Sequence, residues 1–223
     1  MAQRALIVWG GWEGHEPEQV AHVFADALRR HDFEVDLSDT LDVFLDGEQL
    51  ARTDLIVPVW SIGAIGDEQL AGLLAAVEGG VGLGGCHGGM CDSFRERAEY
   101  QFMTGGQWVA HPGDEAVEYD VRIVDREHFI TRGLDDFAVT SEQYYMHVDP
   151  ANRVLAVTRF PIADGPHVGN GAVDMPLVWT RMHGRGRVFY CSLGHRASVV
   201  EMQPTLELCT RGLLWAARGE TAG

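Results

Sequence analysis

The 223 residues, 46% of them hydrophobic, can bury one substantial core and do not require two domains. Seventeen Lys and Arg against 33 Asp and Glu leave a net charge of −16, so a phosphate-rich partner would meet long-range repulsion and nucleic acid is not an expected ligand. No stretch reaches the roughly 18 consecutive apolar residues of a membrane helix, and the apolar run from Ala5 to Trp9 is too short for a secretory signal. The expectation is a cytoplasmic protein that keeps Cys86, Cys91, Cys191 and Cys209 reduced.

Arg4 to Trp9 reads as a buried strand, and Gly10, Gly11 and Gly14 lead into a helix over 17–30, with Pro17 in its first turn. Val20, Val23, Phe24, Ala27 and Leu28 recur at three- and four-residue spacing, which gives that helix one apolar face to pack on a sheet. Phe33 to Leu37 is the second strand. Asp54 to Trp60 is a continuous apolar run suited to a central parallel strand, with Pro58 marking its end. A helix follows over 67–78, then a fourth strand over 80–86 and a glycine turn before another helix-prone segment. Strands alternating with helices imply right-handed crossovers and a doubly wound, mostly parallel sheet of flavodoxin-like strand order.

The second half is more antiparallel, with strands predicted over 117–124, 137–145 and 153–160. Segments 176–180 and 187–192 flank Gly184 and Gly186 as a hairpin, and a helix over 201–217 closes the chain. No repeat or linker divides residues 1–223, so one domain is expected.

Gly84-Gly85-Cys86-His87-Gly88-Gly89 falls at a strand-to-helix turn, where glycines permit the strained backbone that lifts one side chain into the crevice at the strand ends. Two registers fit. Gly84-x-Cys86-x-Gly88 would present a thiol, and Gly85-x-His87-x-Gly89 an imidazole.

Val8-Trp9-Gly10-Gly11 with His15-Glu16, the His87 elbow, His111-Pro112, Glu142 with Tyr144 and Tyr145, and the stretch from Pro176 to His195 together resemble the ThuA-like (trehalose utilisation) family. The resemblance spans nearly the whole chain and implies a fold similar to class I glutamine amidotransferases. It also implies that the elbow presents His87, with Cys86 buried in the strand. The amidotransferase mechanism needs a carboxylate two residues after the histidine that activates the thiol. Here Arg196 and Ala197 follow His195, which argues against glutamine hydrolysis unless another acid orients the ring.

His15, His87, His111 and His195 are each expected at one edge of the sheet, with Glu142 and His147 beside them. Neutral imidazoles plus a carboxylate suit acid/base work on sugar hydroxyls or carbonyls, with His87, His195 and Glu142 as the catalytic set. The same groups suit a Zn²⁺ site, with His15, His87 and His195 as its ligands. Trp12, Trp60, Trp108, Tyr144 and Tyr145 are placed to stack on a pyranose face, whereas Trp179 and Trp215 read as core. His22, His31, His128, His167 and His183 read as structural.

The family resemblance points to sugar catabolism, by an enzyme acting on a keto-sugar or disaccharide derivative through histidine acid/base or metal-assisted chemistry. The alternatives are a non-catalytic sugar-binding protein and a cysteine-dependent amidohydrolase using Cys86. The residues leave homo-oligomerisation open.

Overall fold

A computed structural model describes residues 2–219. The first half runs β1 (Arg4–Gly11), α1 (Pro17–Arg29), β2 (Glu34–Ser38), α2 (Gly47–Arg52), β3 (Leu55–Ser61), α3 (Asp67–Glu78), β4 (Gly82–Cys86), α4 (Gly88–Cys91) and α5 (Ala98–Thr104). The second half runs β5 (Gly106–Ala110), β6 (Val117–Ile123), β7 (Phe137–Ser141), β8 (Tyr145–Val148), β9 (Arg153–Phe160), β10 (Val173–His183), β11 (Gly186–Cys191), α6 (Ala197–Glu201) and α7 (Gln203–Ala216).

Nine strands form one sheet in the order β2-β1-β3-β4-β11-β10-β9-β6-β7, and β5 pairs with β8 in a small second sheet. The first five are mutually parallel, the flavodoxin-like order read from the sequence. The remaining pairings are antiparallel. Successive residues of a strand face opposite sides, so β1 feeds two cores. Ala5 and Ile7 join Val20, Phe24 and Leu28 of α1 and Leu208 and Leu213 of α7 on one face. Leu6 and Val8 join Phe44 and α3 residues Leu70, Leu73 and Val77 on the other. Each such side chain contributes roughly 1.5–3 kcal/mol by burial, and Phe24→Ala would cost about 3–5 kcal/mol. No helix of the described residues is long and apolar enough to cross a membrane.

Several elements differ from the sequence reading. Pro58 lies inside β3, in register with Val8 of β1. The β3–β4 register is confined to Leu55–Gly82 and Ile56–Leu83, so on that side the missing N–H interrupts no ladder. The strand expected over 137–145 ends at Ser141, and the chain leaves the ladder for three residues before β8 begins. The closing helix starts at Gln203, with Pro204 in its first turn, and the short helix α6 that ends at Glu201 precedes it, separated by Met202. The hairpin forms as expected: His183 pairs with Gly186, leaving Gly184 (φ +58°) and Arg185 as a two-residue loop.

Candidate functional site

Three strands of the parallel half, β1, β4 and β11, end on the same edge of the sheet, and the loop after each delivers one imidazole. His15 ends the short turn after β1, His87 follows β4 directly, and His195 lies four residues beyond β11. His87 occupies the elbow at φ 51° and ψ −146°, a conformation that costs a non-glycine residue on the order of 1–3 kcal/mol and persists only when its surroundings hold it. Its N–H donates to the Cys191 carbonyl at 2.7 Å, and its carbonyl accepts from the Tyr190 hydroxyl at 3.3 Å. The imidazole register is therefore the one adopted. Cys86 is buried in the core, and burial beside Cys191 pushes its thiol well up, so no thiolate is presented.

Glu142 arrives by a different route, on the segment between β7 and β8. Its carbonyl accepts from Tyr119 of β6 at 2.9 Å, and the next residue, Gln143, donates to Thr158 Oγ1 at 2.8 Å and to the Arg159 carbonyl at 2.9 Å. These bonds carry the segment back over the sheet. Glu142 Oε2 then lies 3.3 Å from His87 Nε2, and Oε1 lies 3.3 Å from His195 Nδ1. One ligand atom from each of His15, His87, Glu142 and His195 can be chosen so that all four fall within 4.8 Å of one another.

The other nitrogen of each ring is held from behind. His15 Nδ1 is hydrogen-bonded to Ser61 Oγ at 2.6 Å, His87 Nδ1 to the Tyr144 hydroxyl at 2.9 Å, and His195 Nε2 to Glu115 Oε2 at 3.1 Å. By contrast His87 Nε2, His195 Nδ1 and Glu142 Oε2 are buried without a well-aligned hydrogen bond, the two ring nitrogens having only the Glu142 carboxylate opposite them at 3.3 Å. Orphaned polar atoms converging in front of satisfied ones are the arrangement of a metal site with its outer shell in place. Three imidazoles and a carboxylate fit Zn²⁺ in donor type and number.

Burial, then the neighbouring His87 and His195, press the His15 pKa down to about 3. Burial presses His87 down to about 4 against the pull of Glu142. Both rings are neutral at pH 7, the form that binds a metal. Burial would raise Glu142, but His195 and His87 outweigh it and hold the carboxyl well below its usual range. Burial would lower His195, yet Glu142 on one side and Glu115 on the other raise it.

The cluster opens through His15 and Glu142 into a cavity of about 320 Å³ that is also lined by Trp12, Trp108, His111 and Tyr144, small but within the range of ligand sites. His111 stacks on Trp108 at 5.3 Å between centroids, and its Nε2 lies 3.8 Å from Glu142 Oε1. His15, His87, His111, Glu142, His195, Trp12 and Tyr144 are thus brought together. His147 is not: it is exposed on β8, opposite Gln107. Tyr145 packs on Phe160 and His167, and the Trp60 ring lies against Gly10 and Gly63 instead of on the cavity wall. Ser61, Asp92, Arg95 and Glu115 complete the site without having been singled out in the sequence. Ser61 is the last residue of β3 and could have been found by the strand-end rule, whereas Asp92 follows helix α4 and nothing local marks Glu115.

The family profile described as ThuA, trehalose utilisation, matches residues 4–216. No curated protein matches. Among solved structures, a ThuA-like protein from Bacteroides uniformis superposes with a TM-score of 0.77 at 19% identity, over 96% of this chain and 91% of that one. A Salmonella typhimurium protein described as cytoplasmic gives 0.70 at 15%, over 97% and 100%. A β-galactosidase from Bacillus circulans gives 0.63 at 13%, over 96% of this chain and 30% of that one. At these identities the likenesses establish the shared fold.

Proposed function

Because the chain belongs to the ThuA family, described as trehalose utilisation, we propose that it is a cytoplasmic enzyme of sugar catabolism that acts on a keto-sugar or disaccharide derivative at a zinc-type centre. The observation that carries the metal is the convergence of three orphaned, buried donor atoms in front of rings held from behind. His15, His87, Glu142 and His195 would hold the ion, which when bound supplies Lewis-acid polarisation of a substrate carbonyl or hydroxyl oxygen. The cytoplasmic location rests on the Salmonella relative's description.

Ser61, Tyr144 and Glu115 hold the ring orientations; with the proton on the nitrogen each of them contacts, Nε2 of His15, Nε2 of His87 and Nδ1 of His195 would offer lone pairs to the ion. Glu142 supplies the negative charge that favours a cation. His111 stands outside the four and beside Glu142, at the cavity mouth, where it can exchange a proton with a substrate hydroxyl. Trp12 and Trp108 offer aromatic faces for a sugar ring.

Elemental analysis of protein purified without an affinity metal, followed by turnover of oxidised disaccharides with and without chelator, tests the reading. One zinc per chain, lost in His87→Ala together with turnover, is the expected result. Less than stoichiometric amounts of every transition metal, with turnover indifferent to chelator, would refute it.

A further inference from the structure

The cavity in front of the histidine cluster carries one arginine, Arg95. Arg95 is set there with care, in a chain whose net charge is −16. Its guanidinium carbon lies 4.9 Å from the centroid of Trp108, a cation–π contact. Its Nη1 donates to Asp92 Oδ1, and Asp92 is itself buried just after the elbow helix. Stacking and ion pairing fix the plane and one corner of the group. Nε and Nη2, the side-on edge that grips an oxyanion with two parallel bonds, have no hydrogen-bond partner among the described residues. The side chain stays two-fifths exposed and lines the cavity, so a ligand there can reach it.

Arg95 and Ile62 also line a neighbouring hollow of about 550 Å³. The arginine therefore stands at the partition between the chamber holding the cluster and a second, larger space.

We propose that Arg95 is an oxyanion-recognition subsite and that the substrate is an anionic sugar derivative, whose carboxylate or phosphate is bound by Arg95 while its reacting carbon lies toward the histidine cluster. This deepens the sugar-processing reading and rests on it for the position of the reacting end. A neutral sugar would leave the guanidinium edge without a ligand, whereas the other charged groups on this cavity, Asp92 and Glu142, are already engaged, Asp92 by Arg95 Nη1 and Glu142 by His87 and His195. An anionic group gains two charge-assisted hydrogen bonds from an arginine whose stacking has already reduced the entropy lost on binding. In a protein this acidic, long-range attraction cannot explain preference for an anion, so any preference is local to this side chain.

Isothermal titration of the protein, with and without added zinc, against D-gluconate, D-glucuronate, D-glucose 6-phosphate, D-glucose and trehalose tests the proposal. At least one anionic probe should bind ten-fold or more tighter than D-glucose, and tighter binding by the carboxylates or by the phosphate identifies which oxyanion is read. Arg95→Gln should erase the difference between anionic and neutral probes, and Arg95→Lys should restore only part of it. Asp92→Asn removes the competing carboxylate at nearly unchanged volume and should tighten anion binding several-fold, a change opposite in sign to any loss of fold. Equal affinity for charged and neutral sugars, no anionic binding up to millimolar concentration, or an anion preference that survives Arg95→Gln would each overturn it. Zinc stoichiometry, measured separately on the same samples, reports on the metal centre and not on Arg95, so the two ideas fail by different results.

Discussion

Gly88→Ala isolates the fit between the elbow and the first histidine. Gly88 opens α4 and is not among the glycines with a left-handed φ, so alanine meets no backbone strain there, and in a helix it gains about 1 kcal/mol over glycine. The obstacle is space. A Cβ at this position would lie 2.5 Å from His15 Cε1, 2.8 Å from His15 Nδ1 and 3.2 Å from Ser61 Oγ. Carbon atoms rest about 3.5–4.0 Å apart, so the His15 ring must retreat by roughly 1 Å and loosen its bond to Ser61. Metal–ligand distances tolerate about 0.2 Å. One of four donors is then lost or misplaced, and zinc affinity should fall by at least the roughly 10–100-fold typical of disturbing an outer-shell partner, or about 1.4–2.7 kcal/mol. Competition with a chromophoric chelator measures this, and the thermal midpoint of the metal-free protein controls for folding. Zinc bound as tightly as in the parent protein, with an unchanged midpoint, would show that His15 takes no part in holding the ion.

Cys86→Ala should leave turnover nearly intact, and iodoacetamide at neutral pH should label Cys86 slowly if at all, because the thiol is buried and held protonated. Rapid labelling with loss of turnover would revive a nucleophilic role. Metal-free protein should lose stability on acidification from about pH 6.5 to pH 4. His15 and His87 are held neutral to about 3 and 4, while in the unfolded chain each takes up a proton below roughly 6.5. Each then costs up to about 1.4 kcal/mol per pH unit, a loss absent above 6.5. His195, whose value is raised, acts in the opposite sense: its contribution is present below 6.5 and disappears as pH rises through the raised value. Urea midpoints against pH would check this, and a His87→Gln profile as steep as the parent's would contradict it. Glu115→Gln removes one of the two carboxylates that raise His195, so the NMR titration of that ring should move to lower pH. An unmoved titration would leave Glu142 as the sole cause.

The legible parts of this protein are those in which one local rule decides the answer. The continuous apolar runs of β1 and β3 and the glycines after β1 and around β4 marked the parallel half and placed His15 and His87 at strand ends. The hairpin glycines did the same for β11 and His195. Glu142 was legible as a residue but not as a path. Its segment reads as strand up to Tyr145, and only the anchoring of Gln143 to Thr158 and Arg159 explains why the chain leaves the ladder and crosses the sheet. The same departure decides between the two tyrosines. Tyr144 turns to the cavity and His87, whereas Tyr145 begins β8 and packs on Phe160. His147 lies two residues further along that strand, exposed, so its type suited the site and its position did not. Glu115 and Arg95 depend on contacts that form only after folding, and no spacing announces them.

The elbow shows how one residue of register sets the chemistry. In β4 the last strand residue, Cys86, faces the core, where a Cβ on Gly194 would come within 2.7 Å of its sulfur. The next residue takes the strained conformation. A one-residue slip would exchange the two side chains and place a thiol among His15, His195 and Glu142, close to what a cysteine hydrolase requires. The missing carboxylate after His195 would not have prevented this, because Glu142 and Glu115 both reach that ring from distant parts of the chain. What removes the nucleophile is His87 itself. With an imidazole at the strained position, the residues that would activate a thiol become a set of neutral nitrogens and one carboxylate around an open centre, and that set is suited to hold a cation.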